Sequence, residues 1–426
     1  MAFSSLIDRR TSNRRTVSIS ARLGELPVLA FLFYVALVAG FLIPLVRDLG
    51  GSYILATEWE ISRYAFRTSA GAPATFLSYL QQICLLLLLV KAVFFNRNSH
   101  PLLSIFAITG FGVYGAIELL IRKTSMLDLL FGSVPITVFL IPLFILVAGE
   151  GDLSERLVRV SPGAALIAFV LGFGSIVRFH VLCGWDGTIG WSPARDYFAL
   201  GISFLWITAA FAPEWRCGYL KKVLLCAISM LFAVLIATRS WMIQSVLVLL
   251  YVAVSSPSMS KKFRRVLYTV VLFIGAILVA SIIFPDALST FGDRLDEDTR
   301  SGQYEIFFSQ VNPLSLVLGN GSSAGYTYGT QVNYLFFDNQ FIFLMFHYGI
   351  GPALMLAYVL LKTIVSSDAV NGGSCRFVAV MYLAALLGLS NYYSYALNPG
   401  IACLFIGFGI SVSKCGAQKL GQAVSK

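Results

Sequence analysis

The chain has 426 residues, of which 58% are hydrophobic and only 12% are charged. Soluble domains carry roughly 25% charged residues, so this composition excludes an ordinary soluble protein and favours one whose surface faces lipid. The net charge of +10 comes from Lys and Arg clusters beside apolar runs. Such clusters are typical of membrane topology signals, and no nucleic-acid-binding motif accompanies them.

The apolar runs are continuous rather than alternating, as in FLSYLQQICLLLLLV and VLYTVVLFIGAILVASIIF. Continuous runs predict membrane-spanning helices, because backbone groups in lipid need partners within their own segment. We therefore predict an all-α polytopic membrane protein with about 12 transmembrane helices of roughly 20 residues and one long extracytoplasmic loop. The helices are expected at residues 27–46, 76–95, 101–121, 127–148, 163–182, 196–212, 219–237, 240–256, 266–285, 348–366, 377–393 and 398–413.

Positive charge orients these helices. With the N-terminus in the cytoplasm, Lys and Arg on the cytoplasmic side outnumber those on the other side roughly two to one. The sequence therefore predicts a basic cytoplasmic N-terminal segment at residues 1–26 and a cytoplasmic tail at 414–426. Transmembrane helices occupy residues 27–285 before the long loop and 348–413 after it.

The long loop covers residues 286–333, which we call the polar segment. It contains FGDRLDEDTRSGQYEIFFSQ and then combines amide side chains, glycines and tyrosines. Long irregular loops are uncommon unless they are functional. The mixture suits a carbohydrate site as well as a solvated connector. Residues 334–347 are expected to form a partly embedded helix that closes the loop region 286–347, because a full span there would place Lys362 and Arg376 outside the cytoplasm.

Several charged residues need an explanation. Arg239, in a short turn between two apolar runs, is either an interfacial arginine or a guanidinium that grips a phosphate on a lipid-linked substrate. Asp338 stands among apolar residues, where a carboxylate can cap the next helix, transfer protons, or do both. Glu118 lies within a predicted span, and an acid there is compatible with a transporter function. Pairing with Arg122, four residues later, is the favoured interpretation.

The sequence gives no support for metal or nucleotide chemistry. It contains no HExxH, no zinc-type Cys/His spacing, no phosphate-binding loop and no GxSxG. His347, deep in an apolar run, is expected to be a satisfied core histidine rather than a ligand. We therefore predict no metal and no cofactor.

Three segments follow one another in chain order. The first is the turn TRSWM, which contains Arg239. The second is the polar segment, which contains Arg294, Arg300 and Tyr304, then Asn312-Pro313-Leu314 and Gly319-Asn320-Gly321. The third is Asp338-Asn339-x-x-Ile342, with Gly349 after it. Together they resemble motifs of the O-antigen polymerase and O-antigen ligase superfamily, in which the first segment is similar to a Ser-Arg or Thr-Arg turn. Asp338 stands where the ligases have His, which is more similar to the polymerases.

The resemblance implies a GT-C-like, metal-independent glycosyltransferase on the outer face of a bacterial inner membrane. Its substrates would be oligosaccharide repeats linked to undecaprenyl diphosphate, with a chain-length regulator as a further partner. Asp338 would act as general base and Asn339 would position sugar or backbone. Arg239, Arg294 and Arg300 would stabilise the diphosphate, with Tyr304 also binding substrate.

Two other functions stay open. An O-antigen ligase differs only in its acceptor, which is lipid A–core. A transporter or flippase of the same lipid-linked sugar should carry charge deep in several helices and show repeated halves. A polymerase that extends a glycan from its undecaprenyl diphosphate carrier onto the non-reducing end of another repeat is the leading hypothesis.

Overall fold

A computed structural model describes residues 28–56, 63–68, 71–95, 101–132, 134–148, 151–183, 188–189, 193–213, 217–236, 238–255, 259–283, 292, 301–328, 331–335, 337–366 and 372–389. Most of these residues are helical. The predicted N-terminal segment, the C-terminal tail and the last predicted helix lie outside the described residues.

The helices, in chain order, are α1 (Val28–Leu49), α2 (Gly71–Val90), α3 (Pro101–Ala116), α4 (Met126–Phe131), α5 (Phe144–Ala148), α6 (Gly151–Cys183), α7 (Pro193–Phe211), α8 (Tyr219–Leu235), α9 (Arg239–Val254), α10 (Met259–Ile283), α11 (Ser301–Gln310), α12 (Pro313–Leu318), α13 (Gln340–Tyr348), α14 (Ile350–Ser366) and α15 (Gly372–Ala384). Turns of π-helix extend α2, α3 and α15 over Lys91–Phe95, Ile117–Ile121 and Ala385–Leu389.

Five stretches of the described chain are long and apolar enough to cross a membrane, namely Val28–Leu49, Gly71–Phe94, Pro101–Ile121, Met126–Leu143 and Glu155–Cys183. They identify an all-α membrane protein. Shorter apolar helices follow at Arg239–Val254, Ile350–Lys362 and Arg376–Leu387. The count of about twelve spans stays a prediction, as does the side of the membrane that each loop faces.

The predicted continuous helix 127–148 is wrong in one respect. The chain forms α4, then a 3₁₀ helix over Ile136–Leu143, then α5. Pro135 immediately precedes the 3₁₀ helix and Pro142 lies inside it. Proline has no N–H and its ring clashes with the preceding turn of an α-helix, so a regular α-helix does not continue through these positions.

The centre of the described bundle is the packing of α6 against α7, joined by α8 and α9. A Cβ on Gly172 would lie 2.5 Å from the ring of Phe232, and one on Gly201 would lie 2.6 Å from the ring of Phe169. Small residues at helix contacts allow close approach, which is how membrane helices pack without a hydrophobic drive between them.

A small sheet stands at the ends of α1 and α6. β1 (Gly51–Ala56) and β2 (Arg63–Thr68) are antiparallel, and β3 (Thr188–Ile189) runs parallel to β2. Arg178 of α6 donates to the Asp48 carboxylate at 2.8 Å and to the Gly51 carbonyl at 3.0 Å. The charge pair thus ties the sheet to both helices. Its strands were not predicted from the sequence.

The polar segment is more ordered than the predicted loop. From Ser301 onward it contains α11, α12 and a hairpin of β4 (Tyr326–Tyr328) and β5 (Gln331–Tyr334), which ends one residue beyond it. The helix expected at 334–347 is displaced, because β5 continues to Tyr334 and α13 covers Gln340–Tyr348. Gly349, with φ of 79°, separates α13 from α14.

Candidate functional site

The described part of the candidate site is built where α11 meets the start of α13. The amide nitrogen Nδ2 of Asn339 donates to the Tyr304 hydroxyl at 3.1 Å. One residue earlier, the backbone N–H of Asp338 donates to Oε1 of Gln303 at 2.9 Å. Two neighbouring residues of α11 therefore hold two neighbouring residues that precede α13. The structure thus brings together three of the predicted site residues, Tyr304, Asp338 and Asn339.

Asn339 is the N-cap of α13. Its Oδ1 accepts from the backbone N–H groups of Phe341 at 3.0 Å and Ile342 at 3.3 Å. These are among the first N–H groups of the helix, which have no partner within it. The capping role considered for Asp338 therefore belongs to Asn339. Asn339 therefore holds the backbone at the start of α13, and its role toward a substrate stays a prediction.

A shallow depression opens between these groups. It is lined by Gln303, Tyr304, Phe337, Asp338, Asn339 and Ile342, and its empty volume of about 190 Å³ is partly open solvent. Asp338, Asn339 and Tyr304 are half-buried, whereas Gln303 is buried. The Tyr304 oxygen accepts from Asn339, so its own O–H can donate to another group. A carboxylate, a phenol and an amide thus lie together at one shallow recess, where their polar groups can contact a hydroxyl that lies over it.

Two glycines fix the position of α13 against the polar segment. Gly319, after α12, has φ of 69°, and a Cβ there would lie 2.1 Å from the His347 carbonyl oxygen. A Cβ on Gly349 would lie 2.1 Å from the Val317 carbonyl oxygen. Both positions combine a left-handed backbone with a close backbone approach, which only glycine tolerates at low cost. Two motif glycines that are far apart in sequence therefore pack at one contact.

Hydrogen bonds complete this contact. The backbone N–H of Asn320 donates to Phe346 at 2.8 Å, and that of Gly321 donates to His347 at 3.0 Å. They satisfy carbonyls in the last turn of α13, which otherwise lack helical partners. The Gly-x-Gly motif is thus the C-terminal anchor of the helix whose N-terminus carries Asn339.

The same loop is held to α3 by a buried carboxylate. Glu118, which is fully buried, accepts from Arg122 at 2.5 Å, from the Ser322 hydroxyl at 2.8 Å and from the Thr124 hydroxyl at 2.9 Å. Arg122 also donates to the Gly319 carbonyl at 2.7 Å. We call Glu118, Arg122, Thr124 and Ser322 the Glu118 cluster. The predicted pairing of Glu118 with Arg122 is confirmed.

His347 is a satisfied core histidine, as expected. Its side chain is fully buried, and its two ring nitrogens lie 2.8 Å from the carbonyl oxygens of Gly321 and Leu335. Burial lowers the pKa of His347, although the two carbonyls and the Glu118 carboxylate oppose that shift. His347 thereby ties α13 both to the Gly-x-Gly loop and to the chain that leaves β5.

Of the three arginines predicted to bind phosphate, the structure describes Arg239. Arg239 is the first residue of α9, is half-buried and follows Thr238 at the N-cap. Its part in binding phosphate stays a prediction. Arg294 and Arg300 lie outside the described residues, so the structure does not place them.

Two contributors to the site were not predicted. Gln303 holds the backbone of Asp338, and Phe337 lines the depression. Gln303 is adjacent to Tyr304 and Phe337 is adjacent to Asp338, so adjacency in sequence was the available signal. Among the described residues, no group of three or more His, Cys, Asp or Glu side chains is arranged to hold a metal ion.

Comparison with models of known protein families gives no match for this chain. No curated protein matches it either.

Proposed function

We propose that the protein is a polymerase of lipid-linked oligosaccharide repeats, acting in O-antigen or exopolysaccharide synthesis. The observation that carries the proposal is the hydrogen bond of 3.1 Å between Asn339 and Tyr304. It joins two of the segments that resemble the polymerase and ligase superfamily. The glycine contact between Gly319 and Gly349 joins the same two segments a second time.

In the proposed reaction, a hydroxyl at the non-reducing end of one repeat attacks the anomeric carbon of another. Asp338 accepts the hydroxyl proton, the new glycosidic bond forms, and the bond from that carbon to the diphosphate breaks. The electron pair leaves with undecaprenyl diphosphate. No metal or cofactor takes part in the proposed step.

The diphosphate leaving group gains negative charge during this step. Arg239, Arg294 and Arg300 are the proposed partners of that charge, because guanidinium groups form paired hydrogen bonds with phosphate oxygens. Tyr304 and Asn339 hold the acceptor hydroxyl close to Asp338. The proposed location is a bacterial inner membrane, with the polar segment on its outer face and both termini in the cytoplasm.

The test is reconstitution of the purified protein in vesicles that contain an undecaprenyl-diphosphate-linked oligosaccharide repeat. A polymerase gives a ladder of products that lengthen by whole repeats and releases undecaprenyl diphosphate. Two other results would overturn the proposal. Transfer only to added lipid A–core would identify a ligase, and movement of the repeat across the bilayer without new bonds would identify a flippase.

A further inference from the structure

Three tyrosines of the β4–β5 hairpin lie on one face, beside the candidate site. The rings of Tyr328 and Tyr334 are stacked, with centroids 5.7 Å apart and an angle of 27° between planes. Tyr326 meets Tyr334 edge-on at 5.5 Å. Only 3% of Tyr326 is exposed, whereas Tyr328 and Tyr334 are half-buried. We call Tyr328 and Tyr334 the tyrosine pair; Tyr326 supports it from the interior.

Strand geometry explains why the three rings converge. Tyr326 and Tyr328 are two residues apart in β4, and alternate residues of a strand point to the same face. Tyr326 is paired with Tyr334 across the hairpin, so its partner shares that face. Asn333 has φ of 62°, a left-handed conformation that asparagine tolerates better than most residues, and it accompanies the irregular register of the two strands.

Tyr326 and Tyr328 connect the hairpin to residues at or next to the lining of the depression. The ring of Tyr326 lies 4.6 Å from that of Phe337, which lines the depression next to Asp338. The ring of Tyr328 lies 3.8 Å from the position that a Cβ would take on Gly302, the residue before Gln303. Burial raises the pKa of the Tyr326 phenol, with smaller effects from Tyr334 and Asp338. Tyr326 therefore remains neutral close to the Asp338 carboxylate.

The depression alone is too small for an oligosaccharide. It has essentially no space that a water molecule could occupy between its lining side chains. A substrate whose hydroxyl reaches Asp338 must therefore lie over the adjacent surface. The tyrosine pair, which is half-buried, supplies aromatic rings and phenol hydroxyls on the hairpin.

Tyrosine rings suit a sugar for a physical reason. One face of a pyranose ring carries C–H groups that pack on an aromatic face, while its hydroxyls accept and donate hydrogen bonds at the rim. Stacking on aromatic side chains also contributes affinity for other ring-shaped ligands, such as nucleic acid bases.

We infer that the tyrosine pair is a subsite that stacks one pyranose ring of the oligosaccharide whose neighbouring residue reacts at Asp338. The inference rests on the proposed function for the identity of the ligand. According to this inference, affinity for the sugar resides in the hairpin, outside the group of residues that perform the transfer. The stacked ring belongs either to the acceptor repeat or to the donor repeat.

The test uses the protein in nanodiscs. The probe is the repeat oligosaccharide released by mild acid from the lipid-linked precursor of the cells that make this protein. Saturation-transfer NMR measures its Kd and identifies the sugar protons near aromatic rings. Tyr328→Phe and Tyr334→Phe should bind within about twofold of the unaltered protein, because the ring is retained. Tyr328→Leu and Tyr334→Leu retain apolar volume but no ring face, and each should raise Kd about tenfold.

Tyr358→Leu is the matched control, because Tyr358 is 54% exposed on α14, away from the hairpin. It should leave Kd unchanged. Irradiation of aromatic resonances should transfer saturation to C–H protons of one sugar face, a readout that holds even where a Leu variant disturbs the hairpin. Equal Kd values in the Leu and Phe variants, or no transfer to the sugar in the unaltered protein, would overturn the inference.

The sugar-binding measurement and the ladder assay together distinguish the tyrosine subsite from the polymerase function. Normal ladders together with unchanged sugar binding in the Leu variants would reject the tyrosine subsite alone. Tyrosine-dependent sugar binding without ladders would reject the polymerase alone. Where both proposals hold, KM is measured in the Leu variants for a soluble acceptor and for the lipid-linked donor. The substrate whose KM rises is the one that carries the stacked ring.

Discussion

At the residue scale, Asn339 uses one amide for two purposes. Its oxygen caps α13, and its nitrogen donates to the Tyr304 hydroxyl. The cap fixes where the helix begins, and the second bond fixes Tyr304 next to Asp338. Because the two bonds use different atoms of the amide, substitutions can separate the stability of the helix from the geometry of the site.

We expect Asn339→Ser to unfold within a few tenths of a kcal/mol of the unaltered protein, because Ser caps helices about as well as Asn, whereas Asn339→Ala should lose about 1 kcal/mol. Both variants lose the donation to Tyr304, so both should form polymer at least about tenfold more slowly. Thermal unfolding in detergent and initial rates of ladder formation measure the two effects. Unaltered turnover in Asn339→Ser would show that the amide serves the helix only.

The two motif glycines give a second prediction at this scale. Gly319→Ala and Gly349→Ala should each destabilise the protein by more than about 2 kcal/mol, because a left-handed residue costs about 1–2 kcal/mol before any clash. Each new Cβ would also lie 2.1 Å from a carbonyl oxygen. Thermal unfolding in detergent measures the loss.

Gly351→Ala is the matched control for these substitutions. Gly351 lies in α14, and a Cβ there meets nothing within 4 Å. Alanine in a helix is about 0.5–1 kcal/mol better than glycine, so this variant should be more stable. A loss of stability as large as at Gly349 would contradict the steric account.

At the element scale, the Glu118 cluster and the glycine contact attach the second half of the polar segment to α3 and α13. Glu118 is fully buried, whereas the Arg122 side chain is 23% exposed. Removing Arg122 therefore leaves a buried carboxylate without its cation, whereas removing Glu118 leaves a cation that can still reach water. The two substitutions should differ in cost for that reason.

We expect Arg122→Met to cost about 3–5 kcal/mol, as is typical when one partner of a buried pair is lost. Adding Glu118→Leu to it should recover part of that loss, because the stranded charge is then gone. Hydrogen exchange at the Ser322 amide, which donates to Glu118, reports the local effect. Arg159→Met is the control, since its pair with Glu155 is exposed and such pairs contribute little. Equal effects at Arg122 and Arg159 would refute the role of the cluster.

At the scale of the whole molecule, the predicted orientation places the polar segment opposite the start of α10. Ser309 on α11 and Ser260 on α10 are both exposed. In a background with the seven cysteines replaced, Ser309→Cys should react with a membrane-impermeant maleimide on intact spheroplasts. Ser260→Cys should react only after permeabilisation. Labelling of both before permeabilisation would contradict the charge-based topology.

The sequence predicted the helical class, the Glu118–Arg122 pair and the satisfied His347, because each follows from local periodicity or spacing. It could not predict the hairpin, the interrupted helix after α4 or the meeting of Gly319 with Gly349. Those features depend on contacts between segments far apart in the chain. Gln303 was missed for the same reason, because its partner Asp338 lies on another element. Capping was considered for Asp338 and not for Asn339, because helix boundaries read from a sequence are uncertain by a few residues.

Asp338 is proposed to accept a proton from a sugar hydroxyl. This role is tested by the single-turnover rate of bond formation between two lipid-linked repeats in Asp338→Asn and in Glu305→Gln, which alters an exposed acid on the neighbouring helix α11. We expect a loss of about 10²–10⁴-fold for Asp338→Asn, the usual contribution of a general base, and no change for Glu305→Gln. Bond formation by Asp338→Asn at the unaltered rate would show that Asp338 is not the base.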